Sequence, residues 1–523
     1  MNERQSVSNG RAARRQKHVR SGRAATYWLV GIVCCVGTVL AMMMYNNIAE
    51  KKIESRHAVL RIADIDETTI DPKEWGKNFP RQYDGYIRTA DNARSRFKWS
   101  EGRPPDDAAH ADVPPSDMAT AKKAESKLDS DPRLKTIFNG YAFAIDYRER
   151  RGHAFMLDDQ RDTERVKQKP QPGACLNCHA SNVVAFREVG LKNGAPGAIS
   201  DPLLSESGQK QLFAGFDAVN HMKYADATAL VKHPVSCLDC HDPKSMTLRV
   251  TRPAFIEGIA NLAKSNDPVP HLPSIEQWRK GDRKNAYNPN ELASRQEMRT
   301  MACAQCHVEY YFKGDEKRLT FPWHNGLKAE QMEAYYDSVG WSDWTHKDSG
   351  AKVIKAQHPE FELWSQGIHA RSGVSCADCH MPYIREGAMK FTDHQVQTPL
   401  AHVNRSCQNC HNYTESEILS RVDAIQSRNK AQLDRAEIAV VDLIRAIQAA
   451  AAAGASDEQL KHARELQRKA QWRADLMNAE NSMGFHAPQE FLRIVGEAID
   501  YARQGEVEVA KLGKGEKAKA AGN

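Results

Sequence analysis

The chain has 523 residues with 41% hydrophobic side chains, enough to bury a large core, so a wholly disordered protein is excluded. The formal charge of +6 is confined to residues 1–25, which carry seven bases (Arg4, Arg11, Arg14, Arg15, Lys17, Arg20, Arg23) and one acid (Glu3). The rest balances at 66 bases against 66 acids, which leaves no electrostatic footprint for nucleic acid.

In chain order, residues 1–25 read as a basic cytoplasmic terminus, followed by an uncharged run from Ala24 to Ala49. Its apolar part, 26–46, is long enough to cross a bilayer as a helix, and the preceding bases put the body of the chain on the extracytoplasmic side. A cleaved signal with small residues near Val39-Leu40-Ala41 is the alternative, and it exports the body equally. Cys34 and Cys35 fall inside this run and read as apolar membrane residues. Residues 47–130 are polar, with Pro104-Pro105 and Pro114-Pro115, and read as an irregular approach.

The other ten cysteines all fall in one pattern: Cys175-Leu-Asn-Cys178-His179, Cys237-Leu-Asp-Cys240-His241, Cys303-Ala-Gln-Cys306-His307, Cys376-Ala-Asp-Cys379-His380 and Cys407-Gln-Asn-Cys410-His411. Cys-x-x-Cys-His is the attachment signature of c-type haem: two thiols on one helical turn add to the vinyl groups, and the adjacent imidazole reaches the iron. Zinc ribbons need thiolate pairs in even number, and disulfides do not explain the repeated His. A redox dithiol needs only one such motif. Five covalent haems c follow, with proximal ligands His179, His241, His307, His380 and His411. The haems should fill much of the interior of 131–412.

Beyond the last motif, 413–511 reads as helices: one from Glu415 to Ala453 stopped by Gly454, a second opened by the Ser456/Gln459 capping box and ending near Asn481, and a third from Pro488 to about Ala502. Residues 512–523 read as a disordered tail. The fold class is mainly α with little β.

The run Cys303-Ala-Gln-Cys306-His307-Val-Glu309-Tyr310-Tyr311-Phe312 and Lys355-Ala-Gln357-His358-Pro-Glu resembles the pentahaem cytochrome c nitrite reductases, which form ammonia. So do Asp131-Pro-Arg-Leu, Arg151-Gly-His153-Ala-Phe, Phe321-Pro-Trp, Ser342-Asp-Trp-Thr, Gly367-Ile-His369, Thr392-Asp-His394 and His486-Ala-Pro, in the family's order over about 130–505. The resemblance implies distal ligands His153, His369, His394 and His486 for four haems and an open iron at the first, Cys175/Cys178. It implies a nitrite pocket of Arg165, Tyr310 and His358, with Arg161 near enough to compete for the first role. It also implies one Ca2+ held by Glu309, Tyr310, Lys355 and Gln357, an all-oxygen set that suits a hard cation. The family usually has Lys where this chain has His179, and its typical members are soluble or dock on a separate membrane quinol-oxidising cytochrome. The helix from Glu415 resembles the family's dimerisation helix, so a homodimer is expected. The competing functions are an electron carrier with its first haem closed by His221 or His233, and a hydroxylamine or sulfite reductase using the same pocket.

Overall fold

The computed structural model describes residues 4–57, 61–92, 124–387 and 389–520. Pro104-Pro105 and Pro114-Pro115 lie outside them. The chain divides into an N-terminal unit to Ile62 and a large unit from Ala63 onward. The first is one helix, Arg4–His57, whose stretch Ala25–Lys52 is long and apolar enough to span a membrane.

The large unit is built of helices with three two-stranded antiparallel hairpins, Tyr311–Lys313 with Arg318–Thr320, Trp344–Thr345 with Lys352–Val353, and Tyr383–Glu386 with Met389–Thr392. The approach segment is more ordered than its polarity suggests. Helices Pro72–Asn78 and Pro80–Ile87 each begin with proline in the first turn, the former capped by the Asp71 side chain, and Trp75 anchors them in the core.

At the C-terminus, helices Glu415–Ala452 and Asp457–Ala479 are separated by Gly454 in the left-handed region (φ 100°), and Ser456 and Gln459 form the capping box. The last helix is longer than expected. It runs Pro488–Ala520, past Ala502 and through the segment from Leu512 expected to be disordered. One-turn ion pairs Arg503–Glu506 (2.7 Å) and Lys511–Glu508 (2.6 Å) support the extension.

The core is contiguous and rich in aromatics: Phe138, Phe186, Phe216, Phe255, Trp323, Tyr336, Trp472 and Phe491 are all buried. Helices Val183–Lys192 and Glu206–His221 approach backbone to backbone, because a Cβ on Gly215 would fall 1.6 Å from the Phe186 carbonyl oxygen. This pair backs the first cysteine motif, which is the buried one: Cys175 and Cys178 are enclosed, while the other eight motif cysteines are partly or fully exposed.

Candidate active site

Each motif sits on a short helical turn or at a helix end. Two turns carry their own capping box. In Ser236-Cys-Leu-Asp-Cys and Ser375-Cys-Ala-Asp-Cys the serine precedes the first cysteine and the aspartate lies three residues on, its carboxylate accepting the serine N–H at 2.7 Å and 2.8 Å. Arg252 ties motifs together: its buried guanidinium donates to Asp239 Oδ1 (2.8 Å), to Asn182 Oδ1 (2.6 Å) and to the Ala180 carbonyl (3.0 Å), the last two just past the first motif.

The histidines pair. Ring centroids of His153 and His307 are 6.1 Å apart, His241 and His394 6.2 Å, His369 and His411 6.1 Å, and His380 and His486 6.4 Å. Two imidazoles bonded at about 2 Å to opposite sides of one metal ion stand about 6 Å apart. The residues therefore fit a bis-imidazole haem at each of the second to fifth motifs, and each pair joins one motif histidine to one of the four expected distal residues. His179 has no imidazole opposite it among the described residues. Its Nδ1 faces the Met156 carbonyl at 3.0 Å, which leaves Nε2 for a metal. His221 lies at the surface with its Nε2 3.6 Å from Glu316.

Arg165, Tyr310 and His358 converge on that motif. The Arg165 guanidinium stacks on Phe143 at 4.1 Å, and its hydrogen bonds among the described residues are long ones, to the Asp146 carbonyl and Gln160 Oε1, both 3.3 Å. Burial pushes its pKa down, opposed by Cys175, Tyr147, Asp146 and Tyr310. Burial pushes the Tyr310 phenol well up, with Cys175 and Cys178 next in effect. Arg161 is committed elsewhere, donating to Thr228 Oγ1 and to the carbonyls of Thr228 and Val231 at 2.8–2.9 Å. That separates the two arginines.

His358 is held well below the usual imidazole range by burial and then by Arg150, a residue the sequence reading missed. Arg150 Nη2 lies 3.5 Å from His358 Nδ1 and 3.3 Å from the Ala479 carbonyl, while Nη1 is buried without a partner among the described residues. With a guanidinium on Nδ1, the proton of the neutral ring resides on Nε2.

Of the four residues expected to hold a cation, Glu309, Lys355 and Gln357 are in contact, and Tyr310 follows Glu309 in the chain. Glu309 is fully buried, accepting the Gln357 N–H (2.6 Å) and the Tyr336 hydroxyl (2.9 Å), and the Gln357 amide reaches the Lys355 carbonyl at 3.3 Å. A second carboxylate, Glu362, accepts the Glu309 N–H at 2.9 Å and the Trp323 indole at 2.7 Å, and its Oε2 has no partner among the described residues. Burial pushes Glu309 well up and Glu362 to about 8. The adjacent Lys355 ammonium offsets Glu309 only in part, being bonded to Asp475 at 2.9 and 3.0 Å. Two buried carboxylates with incompletely compensated charge and carbonyl oxygens nearby fit a divalent oxygen-seeking cation.

The sequence matches the cytochrome c552 family over residues 71–521. The chain belongs to that family. The match begins well before residue 130, where the resemblance read from motifs begins. Cytochrome c-552 of Parabacteroides distasonis is 34% identical over 488 residues, covering 91% of this chain and 85% of that protein. Cytochrome c-552 of Aliarcobacter butzleri is 31% identical, covering 93% and 85%. The catalytic subunit of cytochrome c nitrite reductase from Desulfovibrio desulfuricans, described with two calcium sites, superposes with a TM-score of 0.65 at 28% identity over 86% of this chain and 87% of that one. The chain is accordingly a mainly α, multihaem c-type cytochrome and an oxidoreductase.

Proposed function

We propose that the chain is an ammonia-forming nitrite reductase with five covalent haems c, four closed by imidazole pairs and the first open beside Arg165, Tyr310 and His358. The observation that carries this reading is the contrast between four histidine pairs about 6 Å apart and a solitary His179. When bound, the haem irons supply a site for the nitrite nitrogen and a path for six electrons.

The protein's part is anion recognition and proton delivery. Arg165 stays charged at any working pH, and its two long hydrogen bonds exchange readily for the shorter, charge-assisted bonds a nitrite oxygen offers. His358 holds a proton at Nε2 for transfer as N–O bonds break, and Tyr310 donates from its phenol. The buried Glu309 and the half-buried Gln357, adjacent in sequence to Tyr310 and His358, bind the single Ca2+ with the Tyr310 and Lys355 carbonyls and so fix the pocket's geometry. Using His179 where the family usually has Lys exchanges an amine for an imidazole donor, which alters the push on bound nitrite.

The body is extracytoplasmic, tethered by the helix through Ala25–Lys52, and electrons arrive from a membrane quinol-oxidising cytochrome. Leu419 and Ile438, exposed on the helix Glu415–Ala452, support a homodimer built on that helix. A carrier closed by His221 is disfavoured by the contact of that residue with Glu316.

The test is the electron paramagnetic resonance spectrum with and without nitrite. A high-spin component that nitrite converts is expected, whereas five low-spin haems would leave only a carrier. Arg165→Ala and His358→Ala should each abolish turnover with haem content unchanged, and activity retained in both would overturn the pocket. Steady-state assays with hydroxylamine and sulfite decide whether either is the better acceptor.

A further inference from the structure

The iron-facing imidazoles differ in what holds the nitrogen turned away from the metal. For His179, His241, His380 and His394 that nitrogen, Nδ1, faces a backbone carbonyl: Met156 (3.0 Å), Met246 (3.1 Å), Gln397 (2.9 Å) and Thr392 (2.9 Å). For His486 it faces a carboxylate. Glu480 Oε1 lies 2.7 Å from His486 Nδ1, and Glu480 is fully buried.

The carboxylate is itself fixed. Its Oε1 accepts the Ser482 N–H (3.0 Å), and its Oε2 accepts the Ser482 hydroxyl (2.9 Å) and the Gly484 N–H (2.9 Å). Among the described residues a second carboxylate approaches an iron-facing imidazole more loosely: Glu360 Oε2 is 3.5 Å from His307 Nδ1.

We propose that Glu480 is a redox-positioning residue, which by accepting the Nδ1 proton of His486 lowers the reduction potential of the haem shared by His380 and His486 below that of the carbonyl-backed sites. The inference rests on the haem reading of these pairs. A full negative charge at 2.7 Å gives the imidazole partial imidazolate character and makes it a stronger donor. One electron turns Fe(III) into Fe(II) while the proton stays on Nδ1, so the site loses one positive charge. A buried anion beside it favours the ferric form.

The placement gives this a use. Arg299 and Thr300, on the helix that carries the third motif, bond Asp378 (2.9 Å) and the Cys376 N–H (3.4 Å) of the fourth, and Cys306 is close enough to Cys178 of the first to perturb its thiol. The fourth motif therefore adjoins the third, and the third adjoins the first. Contact with a carboxylate is tightest at the fourth site and looser at the third, and the first has only a carbonyl. Electrons held at the fourth site thus run downhill to the open one.

The experiment is a potentiometric titration of the haem-loaded full chain, followed by visible absorption and paramagnetic resonance, on wild type, Glu480→Gln and Ser482→Ala. Glu480→Gln keeps an acceptor for Ser482 and Gly484 but removes the charge. It should raise one low-spin midpoint by about a tenfold change in the ferrous-to-ferric ratio, or about 59 mV for one electron, and shift one set of g values. Ser482→Ala strips a hydrogen bond from the carboxylate and should move the same midpoint down. Opposite signs are not the mark of a merely structural role. Unchanged midpoints in Glu480→Gln, or an upward shift in Ser482→Ala, would overturn the inference, and the second variant decides alone if the first fails to take up haem. Wild type lacking bis-imidazole low-spin signals would instead overturn the haem reading itself.

Discussion

Replacing Arg252 by Met keeps most of the side-chain volume and deletes a guanidinium that is 1% exposed and 2.8 Å from the fully buried carboxylate of Asp239. Asp239 would retain the Ser236 N–H on its other oxygen but face the interior with an uncompensated charge. Removing one partner of a buried pair costs about 3–5 kcal/mol. With an unfolding entropy of about 2.1 cal/mol/K per residue, a body of roughly 460 residues has about 1 kcal/mol/K, so the melting temperature should fall by about 3–5 °C. The assay is thermal unfolding by far-ultraviolet circular dichroism on the haem-loaded protein, beside the double variant Arg252→Met/Asp239→Asn. The double variant removes the stranded charge and should recover part of the loss. A single variant melting with wild type at full haem content, or a double variant no better than the single, would refute the reasoning.

Glu437, buried beside Asp131 and 2.9 Å from Arg133 Nη2, has its pKa pushed up to about 8, first by burial and then by Asp131. A carboxyl whose folded pKa lies above its unfolded value of 4.5 contributes stability that is complete below that value and lost as pH rises toward 8. Glu437→Gln should flatten that decline by up to a few kcal/mol in pH-dependent denaturation, and an unchanged slope would refute the assignment. Chelation of Ca2+ should reduce nitrite turnover without changing helix content, with Ca2+ restoring it in wild type but not in Glu309→Gln; activity indifferent to chelator would remove the ion from the pocket. An uncleaved anchor predicts that the full chain sediments with membranes after carbonate washing and that removal of residues 1–52 releases an active enzyme. Mature protein beginning near Ala41 would establish a cleaved signal instead.

The cofactor chemistry was legible because it is local: a Cys-x-x-Cys-His turn needs only neighbouring residues, and all five announce themselves. The C-terminal helices were equally readable from Ser456 and Pro488, since caps act within one turn. The Asp71-Pro72 and Pro80 starts carried the same information, but the polarity around them suggested a loop; Trp75 reaching the core is a tertiary fact. The pairing of distal histidines was not legible, because His394 meets His241 across 153 residues and His486 meets His380 across 106, and spacing says nothing about such encounters. Arg150 and Glu480 were missed for the same reason: a lone charged residue beside a motif reads as a solvated side chain until the fold brings His358 or His486 against it.

The capping boxes at Ser236 and Ser375 bear on how the protein matures. A turn closed by its own serine and aspartate needs no distant partner, so the second and fourth motifs present both thiols on one helical face before the rest of the fold is made. The first motif depends on Asn182, whose amide bonds the Leu176 and Asn177 carbonyls, and on Arg252, some 70 residues downstream, to hold Asn182 in place. The first motif is therefore the one whose shape waits for the rest of the polypeptide.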